Sequence, residues 1–136
     1  MAIYTIKVSL ASQAGKNTLV LTPTFCEVDL DQGQPSRIAW VLDDGANAKF
    51  VVHPSKKIEW EKDPDKGIFD DFDHDGGMKI ISIRDNHFGR GRFGEWRYRL
   101  TVKQGNLIYS TPGGGSGHKT ESDGGDDGKH PVIINR

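Results

Sequence analysis

The feature that most constrains this chain is the alternation of Trp96, Tyr98, Leu100 and Val102 with Arg97, Arg99, Thr101 and Lys103. Large apolar groups at every second position, with charged or polar ones between them, suit a backbone whose successive side chains point to opposite faces. One face of such a segment is committed to a dry interior and the other to water. The same period recurs in Ile6, Val8 and Leu10, in Cys26, Val28 and Leu30, and in Ile38, Trp40 and Leu42. Further strands are expected over residues 18–22, 49–52, 78–84, 107–110 and 132–135. Between them lie turn signals such as Ala14-Gly15-Lys16-Asn17, Asp43-Asp44-Gly45 and Gln104-Gly105-Asn106, whose Gly and Asn residues accept positive φ at little steric cost.

No window carries an apolar period of helical length, and one helical turn is expected around residues 55–60. Eight or nine short strands with frequent turns predict an all-β fold, a two-sheet Greek-key sandwich of cupredoxin-like or immunoglobulin-like type. The 136 residues suffice for one self-sufficient core, so residues 1–136 are read as a single domain. Residues 111–130 break the strand rhythm. Rich in Gly, Ser, Asp and Lys, they have little to bury against the entropy of ordering, and a mobile loop is expected before a closing strand at 132–135.

Composition narrows the class of partner. Eighteen Lys and Arg against 19 Asp and Glu give a net charge of −1, which supplies no general attraction to nucleic acid or membrane. No apolar run approaches the roughly 18 residues of a membrane span. The N-terminus lacks a basic stretch followed by an apolar one, and Cys26 is the only cysteine, which excludes an internal disulfide. A cytoplasmic protein is the expectation.

The run Ile80-Ile81-Ser82-Ile83-Arg84-Asp85-Asn86, a Gly-rich connection, and then Trp96-Arg97-Tyr98-Arg99-Leu100-Thr101-Val102 resembles the last strands of cupredoxin-like sandwiches. The ending Pro131-Val132-Ile133-Ile134-Asn135 resembles that of small uncharacterised bacterial proteins of this shape, the DP-EP family. The resemblance covers the C-terminal half and implies a fold, not an activity. Copper chemistry does not follow from it. A blue-copper site needs two histidines and a cysteine with a weak axial ligand. Here Cys26 comes early with no histidine beside it, and Met78 is far along the chain. Cys26 is read as a small buried hydrophobe.

Two motifs bear on binding. In Asp71-Phe72-Asp73-His74-Asp75-Gly76 the spacing offers Asp71, Asp73 and Asp75 as alternate carboxylates to one hard cation, so calcium is the cofactor such a loop would take. It is not an EF-hand, because the twelfth position is Ser82 and the flanks read as strand. The bland reading is an acidic solvated turn. In His87-Phe88-Gly89-Arg90-Gly91-Arg92-Phe93-Gly94-Glu95, arginines interleave with aromatics. Arg90 and Arg92, extended by the outward Arg97 and Arg99, suit an anionic group. The bland reading there is a hairpin whose glycines serve the turn and whose aromatics cap the core.

Catalytic residues are not indicated. There is no G-x-S-x-G elbow, P-loop or carboxylate pair with a partner base, and Asp85, His87 and the serines form no recognisable set. His53, His118 and His130 lack metal-ligand spacing. The leading expectation is a non-enzymatic binding or interaction module working through loops at the sandwich ends, with a protein or an anionic ligand as partner and nucleic acid not favoured. The alternative is a calcium-binding β domain.

Charge is segregated along the chain. Residues 61–75 are strongly acidic, residues 84–99 are basic, and the strand between them spans on the order of 20 Å. That exceeds the screening length of roughly 8 Å. Opposite ends and a salt-sensitive, head-to-tail self-association are therefore expected.

Overall fold

The computed structural model describes residues 2–43, 47–112 and 130–136. Most of the Gly-rich stretch, including His118, and the turn at Asp44-Gly45 lie outside the described residues. Among the described residues twelve strands run in chain order: β1 (Ile3–Gln13), β2 (Lys16–Thr22), β3 (Phe25–Val28), β4 (Ser36–Leu42), β5 (Ala48–Val51), β6 (Glu59–Trp60), β7 (Phe69–His74), β8 (Ile80–Asp85), β9 (Gly94–Arg99), β10 (Thr101–Gln104), β11 (Leu107–Ser110) and β12 (Val132–Asn135). They form two sheets, one ordered β5-β10-β11-β2-β1-β4-β8-β7 and the other β3-β12-β9-β6. The two-sheet, all-β architecture is as the alternation predicts. No helix among the described residues is long and apolar enough to cross a membrane.

The strand count exceeds eight or nine for identifiable reasons. The run from Trp96 to Val102 is two strands, because the chain leaves the smaller sheet as β9 and enters the larger as β10, turning at Leu100. The corner takes nothing from the ladders. Leu100 N–H donates to the Thr111 hydroxyl at 3.2 Å, and Leu100 C=O accepts Thr111 N–H at 3.1 Å. The alternation passes through the corner, so Tyr98, Leu100 and Val102 are all buried. Strand β7 has no apolar period to announce it. It is an acidic edge strand with a register shift between Asp70 and Asp73, where Asp71 takes φ 53°. An irregularity of this kind re-aims side chains and blunts a sheet edge.

The helical turn expected at 55–60 is not present. His53 and Lys57 instead close a tight turn by reciprocal backbone bonds of 3.3 and 3.1 Å, and His53 Nδ1 accepts the N–H groups of Ser55 and Lys56. The chain then enters β6. On that flank Trp60 stacks on Phe69 at 4.8 Å, and Phe69 meets the edge of Trp96 at 5.2 Å, so three half-buried rings close the gap between the sheets.

The core takes Ile6, Val8, Leu19, Ile38, Trp40, Ile81 and Ile83 from the larger sheet, and Cys26, Val28, Tyr98 and Ile133 from the smaller. Trp40 and Tyr98 join the two. The indole Nε1–H donates to the phenol oxygen at 3.0 Å, and the rings meet edge to face at 5.4 Å. Tyr98→Phe keeps the packing but orphans a buried N–H, so a loss of about 1–3 kcal/mol is expected in urea unfolding. Unchanged stability would show that the bond contributes nothing.

Candidate functional site

The acidic motif is strand and turn, and its three carboxylates do not converge. Asp71 pairs with Arg37, which also donates to the Ser82 hydroxyl. Asp73 Oδ1 accepts the N–H of the next residue, His74, at 2.8 Å. Asp75 Oδ1 accepts the N–H groups of Lys79 at 2.7 Å and Ile80 at 3.0 Å, closing the turn into β8. Those bonds, Ile80's first, hold the Asp75 carboxyl below the usual carboxylate range. Each group is spent on fixing an edge strand. Among the described residues no set of three or more His, Cys, Asp or Glu side chains is placed to hold a metal.

The charge layout differs from the expectation as well. Antiparallel pairing of β7 with β8 sets Asp70 opposite Arg84, and the guanidinium grips the carboxylate through two bonds of 2.8 and 2.9 Å. The Arg84 bond is the main cause that lowers the Asp70 pKa. The acidic segment therefore lies alongside the start of the basic one and is partly neutralised within the molecule. The geometric premise for head-to-tail association falls with it. Sequence order separated the charges, and strand pairing returned them to each other.

The basic loop over residues 87–94 is anchored from beneath. His87 is fully buried. Its Nδ1 accepts the Arg92 N–H at 2.9 Å and its Nε2–H donates to the main-chain oxygen of Arg136 at 2.6 Å, so the two bonds specify the ring's tautomer. Asn135 Nδ2 donates to the Arg92 carbonyl at 2.9 Å and to Asp85 Oδ1 at 2.9 Å. Both main-chain groups of Arg92 are thus held by buried polar side chains. On the other side Asp31 N–H donates to the His87 carbonyl, and Gly89 N–H to the Asp31 carbonyl. Gly91 has φ 87°, a left-handed conformation that favours glycine. Phe88 and Phe93 do not cap the core. Phe93 is 61% exposed and meets the His87 ring edge to face at 5.0 Å.

The loop presents Arg90 and Arg92 to solvent. Arg97 is exposed on the outer face of β9, as its parity requires, and Arg99 is half-buried there with an Nε that has no hydrogen-bond partner. Glu95 lies two residues before Arg97 on the same face, and Glu59 opposes Arg99 across the β6–β9 ladder. The four arginines thus divide into a loop pair and a strand pair flanked by acids. Of the seven arginines in the chain, Arg37, Arg84 and Arg136 are ion-paired. The loop and β9 arginines make no ion pair with another described residue.

Sequence reasoning missed the polar set beneath this loop: Ser36, Asp85, His87 and Asn135, each at most 3% exposed. The signal was present as parity. Asp85 and His87 continue Ile81 and Ile83, Ser36 precedes Ile38 and Trp40, and Asn135 follows Ile133. A scan of family models finds no match for this chain, and searches of the curated proteins and of the solved structures return none.

Two outcomes are expected. His87→Phe strands the Arg92 N–H and the main-chain oxygen of Arg136, for a cost of about 1–3 kcal/mol per group, read by chemical unfolding. Burial first, then the charges of Asp85 and Glu27, push the Cys26 thiol up to about 12. A thiol-alkylating reagent should therefore label Cys26 only in denaturant. Rapid labelling of the folded chain would contradict its burial.

Proposed function

We propose that this protein is a non-enzymatic binding module whose working surface is the loop over residues 87–94, and that it takes an anionic group between Arg90 and Arg92. The observation that carries the reading is the contrast among the arginines. Those on the larger sheet are matched to carboxylates of the same molecule, whereas Arg90 and Arg92 stand on a braced loop with no ion-pair partner among the described residues. A guanidinium offers a planar fork of donors suited to carboxylate or phosphate. Holding the loop rigid before the ligand arrives lowers the entropy lost on binding.

The exposed rings of Phe88 and Phe93 flank the pair and give the site an apolar rim. Asp85 and His87 are fully buried, so they frame the loop and do not meet a substrate. This supports binding over catalysis. Arg97 and Arg99 are assigned a lesser part, because Glu95 and Glu59 share their face of the sheet.

Inorganic polyphosphate, titrated at low and moderate salt, tests the reading. Binding that weakens as salt rises is expected, with Arg90→Ala and Arg92→Ala each costing on the order of tenfold in affinity. No binding at low salt, or equal binding by the double variant, would overturn it.

A further inference from the structure

The polar cluster beneath the loop has an imbalance of donors and acceptors. Asn135 Nδ2 has two hydrogens, and both are spent, one on Asp85 Oδ1 and one on the Arg92 carbonyl. Asp85 Oδ2, Asn135 Oδ1 and the Ser36 hydroxyl remain, all buried and without a hydrogen-bond partner. These atoms belong to adjacent side chains, since Ser36 opposes Asp85 in the β4–β8 ladder and Asp85 bonds directly to Asn135. With Asp85 ionised, both acceptor oxygens would lack a donor at a place that solvent does not reach, since the Ser36 hydroxyl bonds to neither. Leaving a buried acceptor unmatched is costly, and leaving a buried charge so is costlier.

We propose that Asp85 is held as a neutral carboxylic acid in the folded protein, and that its proton is the fastening that ties β8, β12 and the loop over residues 87–94 together, so that ionisation of this one group loosens the loop. A proton on Oδ2 removes the charge and supplies the missing donor. The connection to the loop is short: Asp85 to Asn135, then Asn135 to the carbonyl of Arg92.

The groups facing Asp85 do not offset a charge there. Ser36 faces it from β4, Phe69 from β7 and Asn135 from β12, while Cys26 on β3 and His87 are the nearby titratable groups. Arg84 and Arg37 lie on the outer face and are bound to Asp70 and Asp71. Arg92 and Arg136 approach the cluster with main-chain groups. In agreement, burial pushes the Asp85 carboxyl up to about 7, against the smaller downward pull of the Asn135 bond. The sign follows. A carboxyl raised on folding confers stability that is complete below the ordinary aspartate range near 4, and that is lost as pH rises through about 7.

The test uses the unliganded full chain and stands apart from the anion reading, because a loop that failed to bind polyphosphate would leave every readout in place. Carbon NMR of the Asp85 carboxyl should show a midpoint near 7. The melting temperature should fall between about pH 5 and about pH 8. Exchange of the Arg92 amide should accelerate beyond base catalysis over the upper part of that range. Asp85→Asn carries an N–H to Asn135 Oδ1 at every pH, so it should abolish both trends. A carboxyl titrating near 4, or an unchanged slope in Asp85→Asn, would overturn the proposal. If that variant fails to fold, the wild-type carboxyl titration decides alone.

Discussion

Midway between the sheets, the indole of Trp40 on β4 and the phenol of Tyr98 on β9 satisfy each other at 3.0 Å. Much of the structure depends on that contact. It is a buried side-chain hydrogen bond between the two sheets, and it fixes how the larger sheet sits over the smaller. Two large amphipathic rings would each carry an unmatched polar atom if either sheet slid, so the bond adds register to an interface that hydrophobic contact alone would leave non-directional. Tyr98 also stands two residues before the corner at Leu100. The sheet-to-sheet alignment and the crossing of the chain between sheets are therefore set within a few residues of each other.

The two ends of the strands are finished differently. At one end Asp75 caps the turn into β8, and along the bulged edge strand Asp71 holds Arg37. At the basic end the core parity simply continues into polar residues. Ser36, Asp85, His87 and Asn135 occupy positions where an aliphatic side chain would have served packing better, and two of them, His87 and Asn135, bond to the main chain of the loop above them. Buried polar side chains are costly unless satisfied, so a set of four beneath one exposed loop concentrates that cost where a fixed backbone serves binding. Asp85 lies at the junction of both sheets and this loop, which gives a single proton its influence.

The distribution of charge follows the same division. Along the chain the acids and bases form separate blocks, yet antiparallel pairing of β7 with β8 sets Asp70 against Arg84. What remains unmatched among the described arginines is the pair on the loop and the pair on β9. Net charge near zero therefore conceals a local surplus, and that surplus, more than the total, bears on what the surface attracts.

Much of this was legible in the residues themselves. Strict alternation determined the all-β class, the burial of Cys26, Tyr98 and Val102, and the outward aim of Arg97, because side-chain direction in a strand is a local property with a period of two. The strand at 132–135 was readable for the same reason. Other features depended on which segments become neighbours, and no local pattern encodes that. Strand β7 exists because β8 offers it an edge; the ladder sets Asp70 opposite Arg84, and Asp71 meets Arg37 where the strand bulges. The turn from β9 into β10 rests on Thr111, eleven residues from Leu100. The polar cluster gathers residues 36, 85, 87 and 135 from three strands and a loop. Each of these four has an inward parity legible in the sequence; only strand pairing and the packing of the two sheets gathered them beneath one loop, since contact across a sandwich is set by tertiary register and not by any spacing along the chain.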